Sequence, residues 1–249
     1  MRSLLILLVG ATLLSPSLSP STVFAQGADC VAFYDEQQFV AYSESHGKLT
    51  KGIETFEEGV IDPGGKNCFP APLGPGPSPN FPTGLYVTNI IIQDNITPGP
   101  NPPNPNPSGD PCALYIIGTG FIGSNSTKVG EDLFLQGIPA SLDLIFTEPN
   151  HTGVGFDLSR FQGFPGGGWH ISVFSKGGEE IGKFDVPGPT ATEPFKGFFG
   201  VWCSATIGRI NIFDQAGLAP DAIDNIQLWT EAPVPTHSTT WGVLKATYR

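Results

Sequence analysis

Between Leu142 and Leu228 the chain repeats one pattern seven times: a short run of alternating apolar and polar residues, closed off by Gly, Pro or Asp. The runs are Leu142–Phe146, Val154–Leu158, His170–Phe174, Ile181–Val186, Phe198–Trp202, Ile207–Ile212 and Ile223–Leu228. A period of two over four to eight residues marks a half-buried strand, and none of these runs keeps a helical period. Strands at this spacing, with turn residues between them, predict an all-β, antiparallel β-sandwich. The last run, Ala222 to Leu228, is the strand on which the rest is expected to close.

The ends of the chain read differently. Met1-Arg2 precedes an apolar run, Leu4 to Val9, and Val23-Phe24-Ala25 supplies small residues where a signal peptidase would cut. Residues 1–25 are therefore expected to be a secretory signal peptide, and the chain a secreted, extracellular one. The apolar run is too short to span a bilayer, and no later segment is long and apolar enough to do so. Removing Arg2 leaves 11 Lys and Arg against 23 Asp and Glu, a net charge of −12. That acidity argues against nucleic acid and against an anionic membrane surface as partners.

The four cysteines, Cys30, Cys68, Cys112 and Cys203, form an even set, so two disulfides are expected, with three connectivities open. Cys68 and Cys112 flank a Pro-rich stretch, which favours Cys68–Cys112 and leaves Cys30–Cys203. Their spacing matches no zinc pattern, and the four histidines stand alone.

Residues 26–230 read as one sandwich domain. Asp35 to Ser45 is the one helix candidate: Asp35 can cap it, and Phe39 and Tyr42 share a face. Lys51 to Gly59 alternates up to a glycine turn and reads as the first strand. Residues 67–111 carry two proline-rich runs that cannot supply ladder donors, and they predict long loops around a strand from Leu85 to Ile92. Ala113 to Ile117 is a further strand, and Gly118 to Gly130 a loop. Asn95, Asn125 and Asn150 begin glycosylation sequons. Residues 231–249 form a linker and a short tail, in which Trp241, Leu244 and Tyr248 fall at amphipathic spacing.

Phe146-Thr147-Glu148-Pro149, Gly155-Phe156-Asp157, the hairpin Ser175 to Glu179, Phe198 to Val201 and Ile223-Asp224-Asn225-Ile226 together resemble a family of secreted bacterial β-sandwich proteins. That family is often found with Pro-Glu-Pro sorting tails and is similar to jelly-roll carbohydrate-binding and galactose-binding-like domains. The chain departs from it in its long Pro-rich insertion and in a tail that lacks a membrane-spanning run. The resemblance implies a jelly-roll-like sandwich in which Phe56-Glu57-Glu58-Gly59 pairs with the closing Ile-Asp-Asn-Ile. It also implies a structural calcium ion between the two strands, held by Glu57, Asp224 and Asn225 with backbone carbonyls. Strict alternation puts Asp224 on the side of Ile226, where a carboxylate needs a counter-charge. A cation would supply it, and so would Arg209.

Catalytic patterns are thin. Glu57-Glu58 and Glu179-Glu180 would point to opposite faces of a strand, no Gly-x-Ser-x-Gly elbow occurs, and the glycines from Gly163 to Gly168 precede no Lys-Ser/Thr. No catalytic residue is assigned, and the chain is not expected to be an enzyme. Most aromatics of the Leu142–Trp229 stretch should be core packing. Phe161, Phe164 and Trp169 surround a glycine-rich loop and are the candidates for stacking on a sugar ring. The leading expectation is a secreted, non-enzymatic, calcium-stabilised module that binds carbohydrate or cell-surface material. The alternatives are a structural exoprotein or adhesin working through loops and tail, and a glycan-directed hydrolase or lyase.

Overall fold

The computed structural model describes residues 30–46, 48–97, 102–119, 126–129, 141–148, 150–160, 167–188, 195–214 and 221–231. The expected signal peptide, Phe161, Phe164, Asn125 and the tail from residue 232 lie outside the described residues.

The elements follow one another as β1 (Cys30–Phe33), α1 (Glu36–Ser45), β2 (Lys48–Glu54), β3 (Lys66–Phe69), β4 (Ile90–Asn95), β5 (Leu114–Ile117), β6 (Ser126–Val129), β7 (Ser141–Phe146), β8 (His151–Arg160), β9 (Gly168–Ser175), β10 (Glu180–Pro187), β11 (Phe195–Cys203), β12 (Ile207–Asp214) and β13 (Asp221–Glu231). All seven alternating runs are strands. One sheet of eight strands runs β1-β11-β8-β13-β6-β5-β3, with β2 also paired to β13. The other, of five strands, runs β10-β9-β12-β7-β4. Phe156, Phe199, Ile223 and Leu228 from the first meet Leu144, Ile171, Val173 and Ile210 from the second in one buried core. The chain is an antiparallel β-sandwich of jelly-roll type with one short helix. No helix among the described residues is long and apolar enough to cross a membrane.

The closing strand does organise the large sheet. Its first residues pair with β6, its later ones with β2, and its whole length with β8. A bulge sits at the change of partner. Asp224 opposes Asp157 and Gln227 opposes Gly155, so β13 spends three steps where β8 spends two, with Asn225 at φ 49°. Asn accepts this left-handed conformation more readily than most residues. The extra residue keeps Ile223, Ile226 and Leu228 all in the core and turns Asp224 to the opposite face. Strict alternation through Asn225, and with it the shared side of Asp224 and Ile226, is thereby corrected.

The helix is built as its sequence suggests. Asp35 accepts a hydrogen bond from the Gln38 N–H at 2.9 Å, and Phe39 is fully buried. It packs on the outer face of the eight-stranded sheet, with Phe39 edge-on to Trp229 and Phe33. Glycines make room for the ring. A Cβ on Gly155 or Gly200 would stand 2.7 Å from Phe39 carbons, closer than packed carbons approach.

Three boundaries differ from expectation. The first long strand ends at Glu54, because Phe56 takes φ 58° and the chain turns there, with the Gly59 N–H donating to the Phe56 carbonyl. The strand expected from Leu85 begins at Ile90, and Tyr86 is exposed. A short strand, β6, lies inside the expected loop from 118 to 130. The cysteines are joined as Cys30–Cys203 and Cys68–Cys112. The first bridge connects directly opposed residues of β1 and β11.

Candidate functional site

The outer face of the five-stranded sheet carries a polar lane. Register places Lys183 of β10 opposite Ser172 of β9, Ser172 opposite Asn211 of β12, Asn211 opposite Asp143 of β7, and Asp143 opposite Gln93 of β4. Their neighbours along each strand, such as Leu142 and Leu144 or Ile210 and Ile212, point into the core. Alternation therefore sends these five to one face. Lys183 is exposed; Ser172, Asn211 and Asp143 are fully buried and Gln93 nearly so.

Asp143 is the hub. Its Oδ1 accepts from Arg209 Nη1 at 2.9 Å and from Asn211 Nδ2 at 2.8 Å, and its Oδ2 accepts from Asn95 Nδ2 at 2.8 Å. Asn211 Nδ2 also donates to Ser141 Oγ at 2.8 Å. The Arg209 guanidinium lies 3.9 Å from the Phe174 ring centroid, a cation–π contact that fixes its plane. A buried carboxylate with three donors, one of them a paired cation, is well compensated.

The Pro-rich stretch crosses this face. Arg209 Nη2 donates to the carbonyls of Pro102 at 2.5 Å and Pro103 at 3.3 Å, and Asn95 Nδ2 donates to the Asn104 carbonyl at 3.1 Å. Pro102 is buried. Two polar atoms of the lane are left over: Asn211 Oδ1 and Gln93 Nε2 are buried and have no hydrogen-bond partner among the described residues. One is an acceptor and one a donor, and they belong to residues on either side of Asp143. At the β9–β10 end the face opens. There His170 Nδ1 pairs with the exposed Asp185, and the His170 ring lies nearly parallel to that of Phe213.

Of the residues expected to hold calcium, Asp224 and Asn225 sit elsewhere, at the bulge of β13 in the large sheet. Asp224 is 1% exposed, and its Oδ1 accepts the Asn225 N–H at 2.8 Å. Asn225 Nδ2 donates to Asp157 Oδ2 at 2.7 Å, and Lys196 Nζ lies 3.0 Å from the same oxygen. Burial works to lower the Lys196 pKa, but the hydrogen bond and charge of Asp157, with Asp224 and Glu36 behind, raise it on balance. The counter-charge for this pair of carboxylates is thus Lys196; Arg209 serves Asp143 on the other sheet. Glu57 is exposed in the turn beyond β2, and the buried carboxylate of that segment is Glu54, opposite Ile226. Among the described residues no group of three or more His, Cys, Asp or Glu is arranged to hold a metal. The residues present do not fit the expected calcium ion.

Glu54 is held from both oxygens, Oε1 accepting the Phe56 N–H at 2.9 Å and Oε2 the Val87 N–H at 3.0 Å. Burial raises its pKa against those bonds.

Of the three aromatics expected to meet a ligand, Trp169 is fully buried in the core and cannot stack on a sugar. It sits inward on β9 with Ile171 and Val173, because the strand starts at Gly168 and takes the tryptophan into its alternation. Phe161 and Phe164 lie outside the described residues. Of the sequon asparagines, Asn95 is fully buried with its amide engaged, and Asn150 is exposed. Asp143, Asn211, Gln93 and the tie from Arg209 to the loop escaped the reading of the sequence. The available signal was a polar residue flanked by two aliphatics, in Leu142-Asp143-Leu144, Ile171-Ser172-Val173 and Ile210-Asn211-Ile212.

No protein-family model matches the chain, and no curated protein matches its sequence. Among solved structures, it is similar to a family 29 carbohydrate-binding module at 16% identity and a TM-score of 0.30, covering 59% of this chain and 99% of that one. It is also similar to the enzymatically active domain of tailspike protein 4 of bacteriophage CBA120, at 14% identity and a TM-score of 0.27, covering 57% of this chain and 19% of that one. Likenesses this distant say nothing of what the chain binds.

Proposed function

We propose that the chain is an exported, non-enzymatic binding module, and that the outer face of its five-stranded sheet takes a neutral carbohydrate. One observation carries this reading: Gln93 Nε2 and Asn211 Oδ1, an unfilled donor and an unfilled acceptor, flank Asp143 in register. An unpaired buried polar atom costs about 1–3 kcal/mol, so a fold that keeps two such atoms on one surface gains when hydroxyls fill them. A sugar offers hydroxyls that donate and accept at once. Neutrality follows from charge: Arg209 and Asp143 cancel at the centre of the lane, where the two unfilled atoms lie, Lys183 stands at its exposed end, and the chain as a whole is strongly acidic. The five aligned polar side chains rest on strands, which hold them more rigidly than loops would.

A glycan array probed with the protein is the direct test. Binding of neutral glycans that falls when Asn211 is changed to Ala, with the melting transition kept, supports the reading. An array without signal, or signal confined to sulfated or uronic glycans, rejects it.

A further inference from the structure

The lane that would receive the sugar is covered. Pro102 to Asn104 lies over Arg209 and Asn95 on this face, the following residues are tied at the end of β4, and the ties that hold the segment are few. Arg209 and Asn95 donate to the carbonyls of Pro102, Pro103 and Asn104. At the base, the Ile96 N–H donates to the Asn106 carbonyl at 2.9 Å, Asn106 Nδ2 donates to Thr97 Oγ1 at 3.3 Å, and the Ser108 N–H donates to Asp94 Oδ2 at 2.9 Å. Residues 103 to 107 are themselves exposed, so little apolar burial secures them.

We infer that this proline-rich segment is a displaceable strap that competes with ligand for Arg209 and Asn95. The inference rests on the reading above and adds to it that the free site is self-occupied. Three features support it. Backbone carbonyls of Pro102, Pro103 and Asn104 stand where ligand oxygens would accept from the same two side chains. Prolines bring acceptors without competing N–H donors, and their restricted backbone holds the segment extended without ladder bonds. The strap also leaves Asn211 Oδ1 and Gln93 Nε2 unfilled, so it fits the face less completely than a hydroxyl-bearing ligand would. Lifting it frees the Arg209 guanidinium and the Asn95 amide, which flank Asp143 beside the two unfilled atoms. Apparent affinity is then the intrinsic affinity reduced by the fraction of molecules in which the strap is open.

The test fixes the strap shut. Thr97 and Asn106 touch through their side chains, lie at the strap base, and take no part in the lane. The pair Thr97→Cys with Asn106→Cys, oxidised, is compared with Thr97→Ser and Asn106→Ser in the full chain. Two readouts are taken: modification of Arg209 by phenylglyoxal, followed by peptide mass spectrometry, and binding of the neutral glycan found on the array. The inference expects Arg209 to react in the serine pair and about tenfold or more slowly in the cross-linked pair, with glycan binding lost in parallel. Equal Arg209 reactivity in the two proteins, or none in either, overturns it whatever the glycan result. Differential Arg209 reactivity with no glycan bound by either protein keeps the strap and rejects the carbohydrate reading.

Discussion

Asp157 and Asp224 stand directly opposite each other in the β8–β13 ladder, and Lys196, from the neighbouring β11, closes the pair from the side. Two carboxylates on adjacent strands of one face repel, and the lysine relieves them. Lys196→Met should therefore lower the melting temperature, and adding Asp224→Asn to that variant should recover part of the loss. Thermal unfolding of the four proteins of this cycle measures the coupling. Additive effects would show that Lys196 and Asp224 do not interact. Because an ammonium already serves the pair, millimolar Ca²⁺ and EGTA should give the same transition; a large rise with Ca²⁺ would restore the metal.

Glu54 gives the chain a pH signature. Its burial raises the folded pKa, so its ionised form is disfavoured in the folded state. Stability from this group is fully present below the ordinary carboxylate value and is lost as pH rises through the raised one. Relative to Glu54→Gln, the wild type should lose stability as pH rises from the ordinary carboxylate range through the raised folded-state value. Chemical unfolding of both proteins across that range decides it; a difference that grows in the opposite direction, or none, contradicts the assignment.

The helix depends on glycines. A methyl on Gly200 would stand 2.7 Å from two Phe39 ring carbons, so Gly200→Ala should cost about 1–3 kcal/mol through overpacking. Denaturant unfolding reads the loss. Phe39→Leu in the same background should recover some of it, which a purely conformational effect of Gly200 would not allow.

The bridge between Cys30 and Cys203 spans 173 residues of sequence and ties the edge strand β1 to β11. Replacing both by Ser should destabilise the protein by about 2–5 kcal/mol, mainly through the unfolded chain. Non-reducing peptide mapping should recover Cys30 with Cys203 and Cys68 with Cys112; any other pairing contradicts the register of β1 on β11.

Much of this was legible in the chain itself. Seven alternating runs became seven strands, and Asp35 capped the helix that Phe39 anchors, because period and capping are local properties. What failed was decided by single backbone angles or by distant partners. Phe56 and Asn225 are both at positive φ; with them, the carboxylate that faces the closing strand is Glu54 and not Glu57, and Asp224 is turned away from Ile226. Trp169 looked like a loop residue because the strand border at Gly168 depends on β10, across the hairpin. The polar lane needs the register of five strands at once, and its strap comes from a segment about a hundred residues before Arg209. No local period reports that.

A neutral sugar that fills the free hydrogen-bonding atoms of Asn211 and Gln93 should bind less tightly when either side chain is removed. Isothermal titration of the array-selected glycan into wild type, Asn211→Ala, Gln93→Ala and, as a control on the opposite sheet, Lys196→Met measures it. Each lane variant should weaken binding by about tenfold, the order of one lost hydrogen bond, while Lys196→Met binds as the wild type does. Lane variants that bind with unchanged affinity, or a Lys196→Met loss as large as theirs, would contradict the site.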